Sequence, residues 1–220
     1  MNNKLRIRFE KTGRAVYVSH LDLMRTMQRA FLRAGFPLAY SEGFNPHAIL
    51  SMALPLSVGM ESVCELMDFR LRDPADPAVL LERLTAAMPE GIRVLEAYEP
   101  ERKFAQIKWL HISGRLEYDR ADPAGAARQL TALFSQEALV IVRKTKRGEG
   151  EADIRPAVRE ISFAPGEGQV TLQALISAQN PTLNPTHLVS AVERYLPELM
   201  PDFTVFRREA LFDENMQAFR

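Results

Sequence analysis

The sequence predicts an α+β protein made of two similar halves, and three observations support this prediction. Runs in which apolar and polar residues alternate, as in half-buried strands, are interspersed with runs that have apolar residues at helical spacing. The order strand, helix, two or more strands, helix, strand occurs twice. A charged, proline-containing segment at residues 99–103 separates the two occurrences. This order is typical of ferredoxin-like (βαββαβ) domains, so we expect two in tandem, at residues 1–99 and 104–220, each with helices covering an antiparallel sheet.

The elements of the first half follow from local patterns. Residues 4–9 alternate between basic and apolar side chains and predict the first strand. Ser19, with Asp22 three residues later, forms a capping box that begins a helix, and this helix ends at Gly35. The remaining elements are an extended apolar run at 15–18, strands at 36–40, 49–58, 64–71 and 92–98, and a helix that begins at Asp76 and Pro77.

The second half repeats this order of elements without a repeat of the residues themselves. Residues 107–118 are expected to be extended, and a helix begins at Asp122 and Pro123. The later elements are a strand at 138–144, a hairpin of strands at 161–163 and 170–176, a helix after Asn184 and Pro185, and a strand at 203–212.

Composition excludes several classes of function. The formal net charge is zero, so no overall field attracts nucleic acid, and such a partner would need a local basic patch. Cys64 is the only cysteine, which is too few for an iron–sulfur cluster or a usual structural zinc site and fits a reducing compartment. No run of about 18 apolar residues could span a membrane. We therefore expect a cytoplasmic protein with no metal site and no cofactor of its own.

Polar side chains that could carry chemistry are concentrated around the first helix and the loop that follows the next strand. They are Ser19, His20, Asp22, Arg25, Arg29, Arg33, Ser41, Asn45 and His47. His20 lies in the first turn of the helix, where the helix dipole favours the neutral imidazole of a base or hydrogen-bond donor. His47 lies in a loop, where functional residues are common. Either histidine could instead be an ordinary surface residue.

We expect these two groups to share one pocket. The helix begins directly after the first strands, and the strand at 36–40 is expected to run back along the sheet. The loop at 41–47 would then return to the end of the sheet where the helix starts. The pocket would be lined by His20, Ser41, Asn45 and His47, with Arg25 and Arg29 at its rim.

The first helix also carries a ladder of charge. Asp22, Arg25, Arg29 and Arg33 follow one another at spacings that place them on one helix face. Three guanidinium groups in a row could bind a phosphate backbone. The same face could equally be a solvated one that contains an ion pair between Asp22 and Arg25.

A second basic group lies at residues 143–147, before two glycines and two acidic residues. Lys144 and Lys146 could contact phosphates from the tip of a hairpin. A solvated turn is the commoner structure for such a run, and the neighbouring acidic residues weaken the case for binding. Asp153 and Arg155, which follow, could belong to a substrate-binding site or form a local salt bridge.

Three motifs resemble a known bacterial family: SHLDLMR at residues 19–25, PLAYSEGFNPH at 37–47 and PLSVG at 55–59. The segment DIRP at 153–156 resembles the pattern of that family in its second half. The chain is thereby similar, over most of its length, to the radical SAM-linked (radical SAM-associated) proteins, whose domain has no known function. The resemblance implies a partner, a radical SAM enzyme with a cobalamin-binding domain, and a role in RNA modification or ribosome maturation. It implies no particular catalytic residue.

Three functions remain open from the sequence, and whether the chain is an enzyme is among the open questions. The first is an accessory protein that binds RNA or a ribonucleoprotein for the radical SAM enzyme, through the five basic residues of the helix and the hairpin. The second is a metal-independent RNA-processing enzyme in which His20 and His47 act as acid and base. The third is a protein–protein adaptor that docks through the loop at 41–47 without nucleic acid. We expect the first, although the zero net charge favours the third over it.

Overall fold

The computed structural model describes residues 3–145 and 148–220, with the backbone alone at 144 and 145. The chain divides into two compact units: unit 1 runs through Gln106 and includes Arg220, and unit 2 is Ile107–Phe219. Each unit combines an antiparallel sheet with two α-helices, so the predicted α+β class is confirmed. The expected junction at 99–103 lies a few residues before the division between the units.

Unit 1 is a four-stranded antiparallel sheet with two helices. Its elements are β1 (Lys4–Lys11), α1 (His20–Arg33), β2 (Leu50–Met52), β3 (Glu61–Arg70), α2 (Pro77–Ala87) and β4 (Ile92–Tyr98). The strand order is β4-β1-β3-β2, since β1 pairs with both β3 and β4 and β2 pairs with β3. Leu5 and Leu50 both lie opposite Phe69. Because of this register, β2 starts at the end of the sheet where β1 starts.

The core of unit 1 follows the alternation of β1. Leu5, Ile7 and Phe9 are fully buried, and they pack with apolar side chains of α1 and α2. Phe31 of α1 reaches Phe69 of β3, with 4.5 Å between the ring centroids. Alternate residues of the strand point to the opposite face, which leaves the basic side chains of β1 on the side away from these helices.

The ends of α1 agree with the prediction. The Ser19 Oγ accepts a hydrogen bond from the backbone N–H of Asp22 at 3.2 Å and donates one to Asp22 Oδ2 at 2.7 Å. At the other end, Gly35 follows the C-cap Ala34 with a φ of +78°, a left-handed conformation that glycine adopts at no steric cost. The predicted start of α2 is also confirmed, because Asp76 caps the helix and Pro77 is its first residue.

Three expected strands of unit 1 are wrong or shorter. Residues 15–17 fall in a 3₁₀ turn, Gly13–Tyr17, whose Val16 carbonyl accepts from Lys11 Nζ and from the Gly59 N–H. Residues 36–40 form only isolated bridges, at Leu38 and Tyr40. The expected strand at 49–58 is reduced to the three residues of β2, ahead of a proline at position 55 that cannot donate to a ladder.

Unit 2 repeats the strand order of unit 1 with additional residues. Its elements are β5 (Trp109–Glu117), α3 (Pro123–Phe134), β6 (Val140–Thr145), β7 (Gly148–Asp153), β8 (Val158–Gly166), β9 (Gln169–Ser177), α4 (Thr186–Tyr195) and β10 (Phe203–Phe212). β5 pairs with β9 and β10, and β9 pairs with β8, all antiparallel, so the order is β10-β5-β9-β8.

One prediction for unit 2 needs correction. The strand expected at 138–144 exists as β6, but it pairs with β7 in a separate two-stranded ladder and not with the main sheet. This ladder is an insertion between α3 and β8. The capped start of α3 and the hairpin of β8 with β9 are confirmed, since the Asp122 carboxylate accepts from two backbone N–H groups of the first turn.

Candidate functional site

The first turn of α1 joins three of the predicted site residues. Asp22 accepts from the Ser19 hydroxyl and from Arg25 Nη1, the latter at 3.0 Å. The Ser19 hydrogen bond, followed by that of Arg25, holds the pKa of the Asp22 carboxyl below its usual value. Both side chains of this ion pair are exposed to solvent, so the pair adds little to stability. His20, the first residue of the helix, is half-buried.

The three arginines of the expected ladder differ in their partners. Arg25 is paired with Asp22, and Arg33 donates to the Ala87 carbonyl oxygen at the end of α2, at 2.7 Å. Within the described part of the chain, the Arg29 side chain makes no hydrogen bond or ion pair. Arg29 is therefore the ladder residue whose guanidinium is most available to a ligand.

The loop at 41–47 is closed by its own hydrogen bonds. The Ser41 N–H donates to the His47 carbonyl at 2.9 Å, and the His47 N–H donates to Ser41 Oγ at 3.1 Å. Ser41 Oγ also lies 2.9 Å from His47 Nδ1, and the Asn45 carbonyl lies 3.5 Å from that nitrogen. A bridge between Tyr40 and Ala48 lies at the base of the loop, so the loop is the tip of a small hairpin. The other ring nitrogen of His47, Nε2, makes no hydrogen bond within the loop.

The expectation of a single pocket for His20 and His47 is wrong. α1 starts beyond the carboxyl end of β1, whereas the loop at 41–47 lies at the amino end of β1, where β2 begins. These ends are separated by the length of β1, eight residues or roughly 23 Å. The error arose from residues 36–40, which do not run back along the sheet as a strand. A catalytic role for either histidine alone stays a prediction.

A cleft of about 290 Å³ lies beside His47 at the amino end of β1. Its polar lining comes from Lys4, His47, Ser51, Asp68 and Arg70, which belong to the starts of β1 and β2, the end of β3 and the loop. Two cationic side chains and one carboxylate thus face the same open space.

The carboxylate of this cleft, that of Asp68, already forms an ion pair with a buried arginine. Arg6 is fully buried, and its Nε and Nη2 donate to the two oxygens of Asp68 at 2.6 and 3.0 Å. The same guanidinium donates to the carbonyl oxygens of Arg102 and Arg220 and lies under the Phe104 ring, 4.3 Å from its centroid. Asp68 therefore contributes little net negative charge to the cleft.

A second cleft, of about 230 Å³, lies between α1 and the residues that lead to the hairpin. Arg29 and Leu32 of α1 and Tyr40 of the hairpin are among its lining residues. Tyr40 is 60% exposed, and Phe44 at the hairpin tip is fully exposed. Two aromatic rings of the hairpin are thus exposed to solvent, and the guanidinium of Arg29, which is paired with no other described residue, lies on α1 beside Tyr40.

The predicted site residues of unit 2 are bonded to the main chain. Asp153 Oδ1 accepts from the N–H groups of Leu139 and Arg155, at 2.8 and 3.0 Å. The Arg155 guanidinium donates to the carbonyls of Gln136 and Val158, at 3.2 and 2.6 Å. Both side chains hold the base of the inserted ladder, and their role in substrate binding stays a prediction. Lys146 and the side chain of Lys144 lie outside the described residues.

Sequence reasoning missed several residues of the two clefts, and also Phe44 at the hairpin tip. Tyr40 and Phe44 are aromatic residues in a segment rich in turn residues, and this contrast was a signal that an interaction surface was present. Lys4, Asp68 and Arg70 carried no such signal, because charged residues at the ends of strands are common. Only the pairing of β1, β2 and β3 brings them together.

Two further properties bear on function. Of the helices in the part of the chain that the structure describes, none has the length and apolar character needed to cross a membrane. Among those same residues, no group of three or more His, Cys, Asp or Glu side chains is placed to hold a metal ion. Cys64 is buried in β3.

Comparisons with known proteins give a family, and the solved structures that they match include two distant ones. The model of a family described as "uncharacterized protein conserved in bacteria" (DUF2344) matches residues 4–185, and no curated protein matches the chain. A chain in the crystal structure of a Cbf5-Nop10-Gar1 complex is 11% identical over 96% of this chain, with a TM-score of 0.48; the match spans 50% of that chain. An unknown protein from Galdieria sulphuraria is 11% identical, with a TM-score of 0.27, over 94% of this chain and 99% of its own. Both TM-scores are below 0.5, so neither likeness bears on the function of this chain.

Proposed function

The chain belongs to the family of uncharacterized bacterial proteins known as DUF2344, and we propose that it is an accessory protein that holds a single-stranded stretch of RNA for a separate enzyme. The observation that carries this proposal is the hairpin at 40–48, on which Tyr40 and Phe44 are exposed while Arg29 lines the cleft beside Tyr40.

The chemistry of single-stranded RNA fits this surface. Every base has a π-face that can stack on an aromatic ring, and such stacking contributes about 1–3 kcal/mol per base. A guanidinium beside the rings can bind the phosphate that links two stacked bases. Zero net charge does not oppose this mode of binding, because stacking does not depend on an overall field.

The enzyme that we propose as the partner is a radical SAM protein with a cobalamin-binding domain, acting in the bacterial cytoplasm. The resemblance of the motifs at 19–25, 37–47 and 55–59 supports this choice. We also infer that each unit is a ferredoxin-like domain. In support, both units have the order strand, helix, strand, strand, helix, strand in their main sheets, with the first strand between the third and the fourth.

An exposed apolar group at the other end of α1 supports a protein partner. Tyr17 is 73% exposed, Leu21 66% and Val58 58%. The hydrogen bond from Gly59 N–H to the Val16 carbonyl brings the segments of Tyr17 and Val58 together. Large apolar side chains grouped on a surface mark interaction sites more often than scattered ones do.

The RNA part of the proposal is tested by filter retention of a short oligoribonucleotide of mixed sequence, single-stranded or as a duplex, across a series of salt concentrations. We expect the single strand to bind more tightly. Arg29→Ala should weaken binding and reduce the dependence of affinity on salt by about one phosphate contact. Tyr40→Ala and Phe44→Ala should weaken binding at every salt concentration without changing that dependence, because stacking releases no counterions.

The matched control is Arg128→Ala, which removes an exposed arginine from α3 of unit 2 and changes the net charge equally. It should leave binding unchanged. If the affinity for RNA does not change with salt, with Arg29→Ala or with either aromatic substitution, the proposal is wrong.

The partner is tested by co-purification with the radical SAM protein after nuclease treatment. We expect the complex to survive nuclease and to be lost with Leu21→Asp, while Leu32→Asp, at an equally exposed position of α1, should retain it. A complex that nuclease dissolves would mean that RNA, and not a protein contact, joins the two proteins.

A further inference from the structure

We infer that the cleft beside His47 binds a phosphate monoester: the terminal phosphate of the RNA strand whose bases stack on Tyr40 and Phe44. The source of the phosphate rests on the proposed function, whereas the chemistry of the cleft does not. A free mononucleotide would present the same group, and the experiment below separates the two sources.

The charge of the cleft comes first. Lys4 and Arg70 line it from neighbouring strands, because these two residues lie opposite each other in the ladder of β1 with β3. Asp68 is the one carboxylate among the lining residues, and Arg6 occupies both of its oxygens from the buried side. The cleft is therefore lined by two cationic side chains and by one carboxylate that a buried arginine neutralises, which favours an anion.

The donors of the cleft favour phosphate among anions. The Arg70 backbone is fixed by bonds to Ala39 and Ile49, while its guanidinium bonds to no other residue in the described part of the chain. A free guanidinium offers a planar fork that binds two oxygens of a phosphate at once. His47, held at Nδ1 by Ser41, has Nε2 to spare, and Ser51 adds a hydroxyl.

A terminal phosphate fits better than an internal one. A monoester carries close to two negative charges at neutral pH, whereas a phosphodiester in a strand carries one. The two cationic side chains that line the cleft, Lys4 and Arg70, match the former. The volume, about 290 Å³, is close to the lower bound of small-molecule sites, roughly 300 Å³, and leaves room for the phosphate and part of its nucleoside.

The cleft and the two aromatic residues share one hairpin. His47 and Ala48 line it, and they are the closing residues of the same hairpin that carries Tyr40 at its base and Phe44 at its tip. A strand that ends with its phosphate in the cleft would place its first bases beside these rings. One hairpin would then hold both the end of the strand and the bases next to it.

The test compares oligouridines that differ only at their ends: 5′-phosphate, 3′-phosphate or hydroxyl at both. Uridine 5′-monophosphate and inorganic phosphate are titrated in parallel. We expect one terminal phosphate to raise affinity roughly tenfold, the value of one charge-assisted contact. Arg70→Ala should abolish this gain, Arg70→Lys should restore it only in part, and Lys4→Ala should reduce it.

Arg72→Ala is the control, because Arg72 is exposed, lies two residues beyond Arg70 and is paired with Asp73 outside the cleft. It should leave the gain intact. If RNA binds equally well whatever its terminus, and binds the Arg70→Ala variant as well as the parent, the inference about the cleft is overturned and the proposed function stands. Uridine monophosphate that binds through Arg70 while no RNA binds overturns the proposed function and leaves the cleft as a nucleotide site. Binding of neither to the cleft overturns the inference.

Discussion

Units 1 and 2 have the same strand order in their main sheets but use their polar side chains differently. In unit 1, Arg29 and Arg70 have guanidinium groups that bond to no other described residue. In unit 2, the side chains of Asp153 and Arg155 form hydrogen bonds with main-chain groups. A similar scaffold thus carries a candidate binding surface in one unit and a structural anchor in the other. The difference teaches that residue type and spacing alone do not identify a binding site. It must also be known whether the polar side chains already bond to other groups of the protein.

The two units share a feature of their connectivity. In both, the connection from the first helix to the second strand of the main sheet carries a hairpin: residues 40–48 in unit 1, and β6 with β7 in unit 2. The first exposes two aromatic rings, and the second is anchored at its base by Asp153. Variation in one equivalent connection of a common scaffold is the usual way in which binding sites diverge.

The largest expected effect on stability comes from the buried arginine of unit 1. Arg6→Met removes the partner of Asp68 and leaves two carbonyl oxygens without their donor, so we expect it to lower the free energy of unfolding by about 3 kcal/mol. Arg8→Met, on the same strand, removes a half-exposed pair with Glu96 and should cost less than about 1 kcal/mol. Urea unfolding followed by circular dichroism measures both. Equal losses would show that the burial of Arg6 is not what matters.

Unit 2 should respond next to the loss of its anchor. Asp153→Ala leaves the Leu139 and Arg155 N–H groups without an acceptor, and we expect a loss of about 1–3 kcal/mol with no change in RNA affinity. Trp109, the only tryptophan, lies in β5 and reports on this unit by fluorescence. Asp153→Asn keeps one acceptor oxygen and should lose less. If Asp153→Ala weakened RNA binding and left stability intact, the contrast between the units would be wrong.

The first helix of each unit provides a matched pair of smaller effects. Ser19→Ala and Asp122→Ala each remove an N-cap, which costs about 1 kcal/mol in typical proteins. We expect the loss to be greater at Asp122, because its carboxylate accepts from two backbone N–H groups while Ser19 accepts from one. Urea midpoints of the two variants decide the order. The reverse order would indicate that Ser19 has a further role in the stability of unit 1.

One further effect, seen only at alkaline pH, is one in which the units should agree. Burial raises the pKa of Tyr98 and of Tyr118 to about 12, from an ordinary value near 10. Between these values the unfolded chain loses the phenol proton while the folded chain keeps it, so the free energy of unfolding falls as pH rises from 10 to 12. Tyr98→Phe and Tyr118→Phe should each lessen this fall relative to the parent, measured by urea unfolding at alkaline pH. If the free energy of unfolding of a variant falls as steeply with pH as that of the parent, the pKa of that tyrosine is not raised.

Sequence patterns predicted the elements whose signals are local. The caps at Ser19, Asp76 and Asp122 and the strands at 92–98 and 203–212 all appear where expected, because each depends on a few neighbouring residues. The 3₁₀ turn at 13–17 was missed because its apolar residues have the composition of a strand. Its hydrogen bond from the Gly59 N–H depends on a distant part of the chain.

The site was predicted less well, for a related reason. The motif residues of the loop at 41–47 were singled out, but their placement relative to His20 depended on whether residues 36–40 cross the sheet. That question is decided by pairing with Arg70 and Leu71, more than thirty residues away. Lys4 and Arg70 could not be found at all without the register of β1 on β3.

The Arg6–Asp68 pair has a consequence for the comparison of related chains. Arg6 is fully buried and lies beyond the reach of any ligand, yet it decides whether Asp68 acts in the cleft as a neutralised group or as a free negative charge. A relative with an apolar residue at position 6 and Asp68 retained would have a cleft of lower positive charge and a changed preference for ligands. We therefore expect positions 6 and 68 to co-vary, so that the ligand class of a relative could be inferred from a residue that its ligand never contacts.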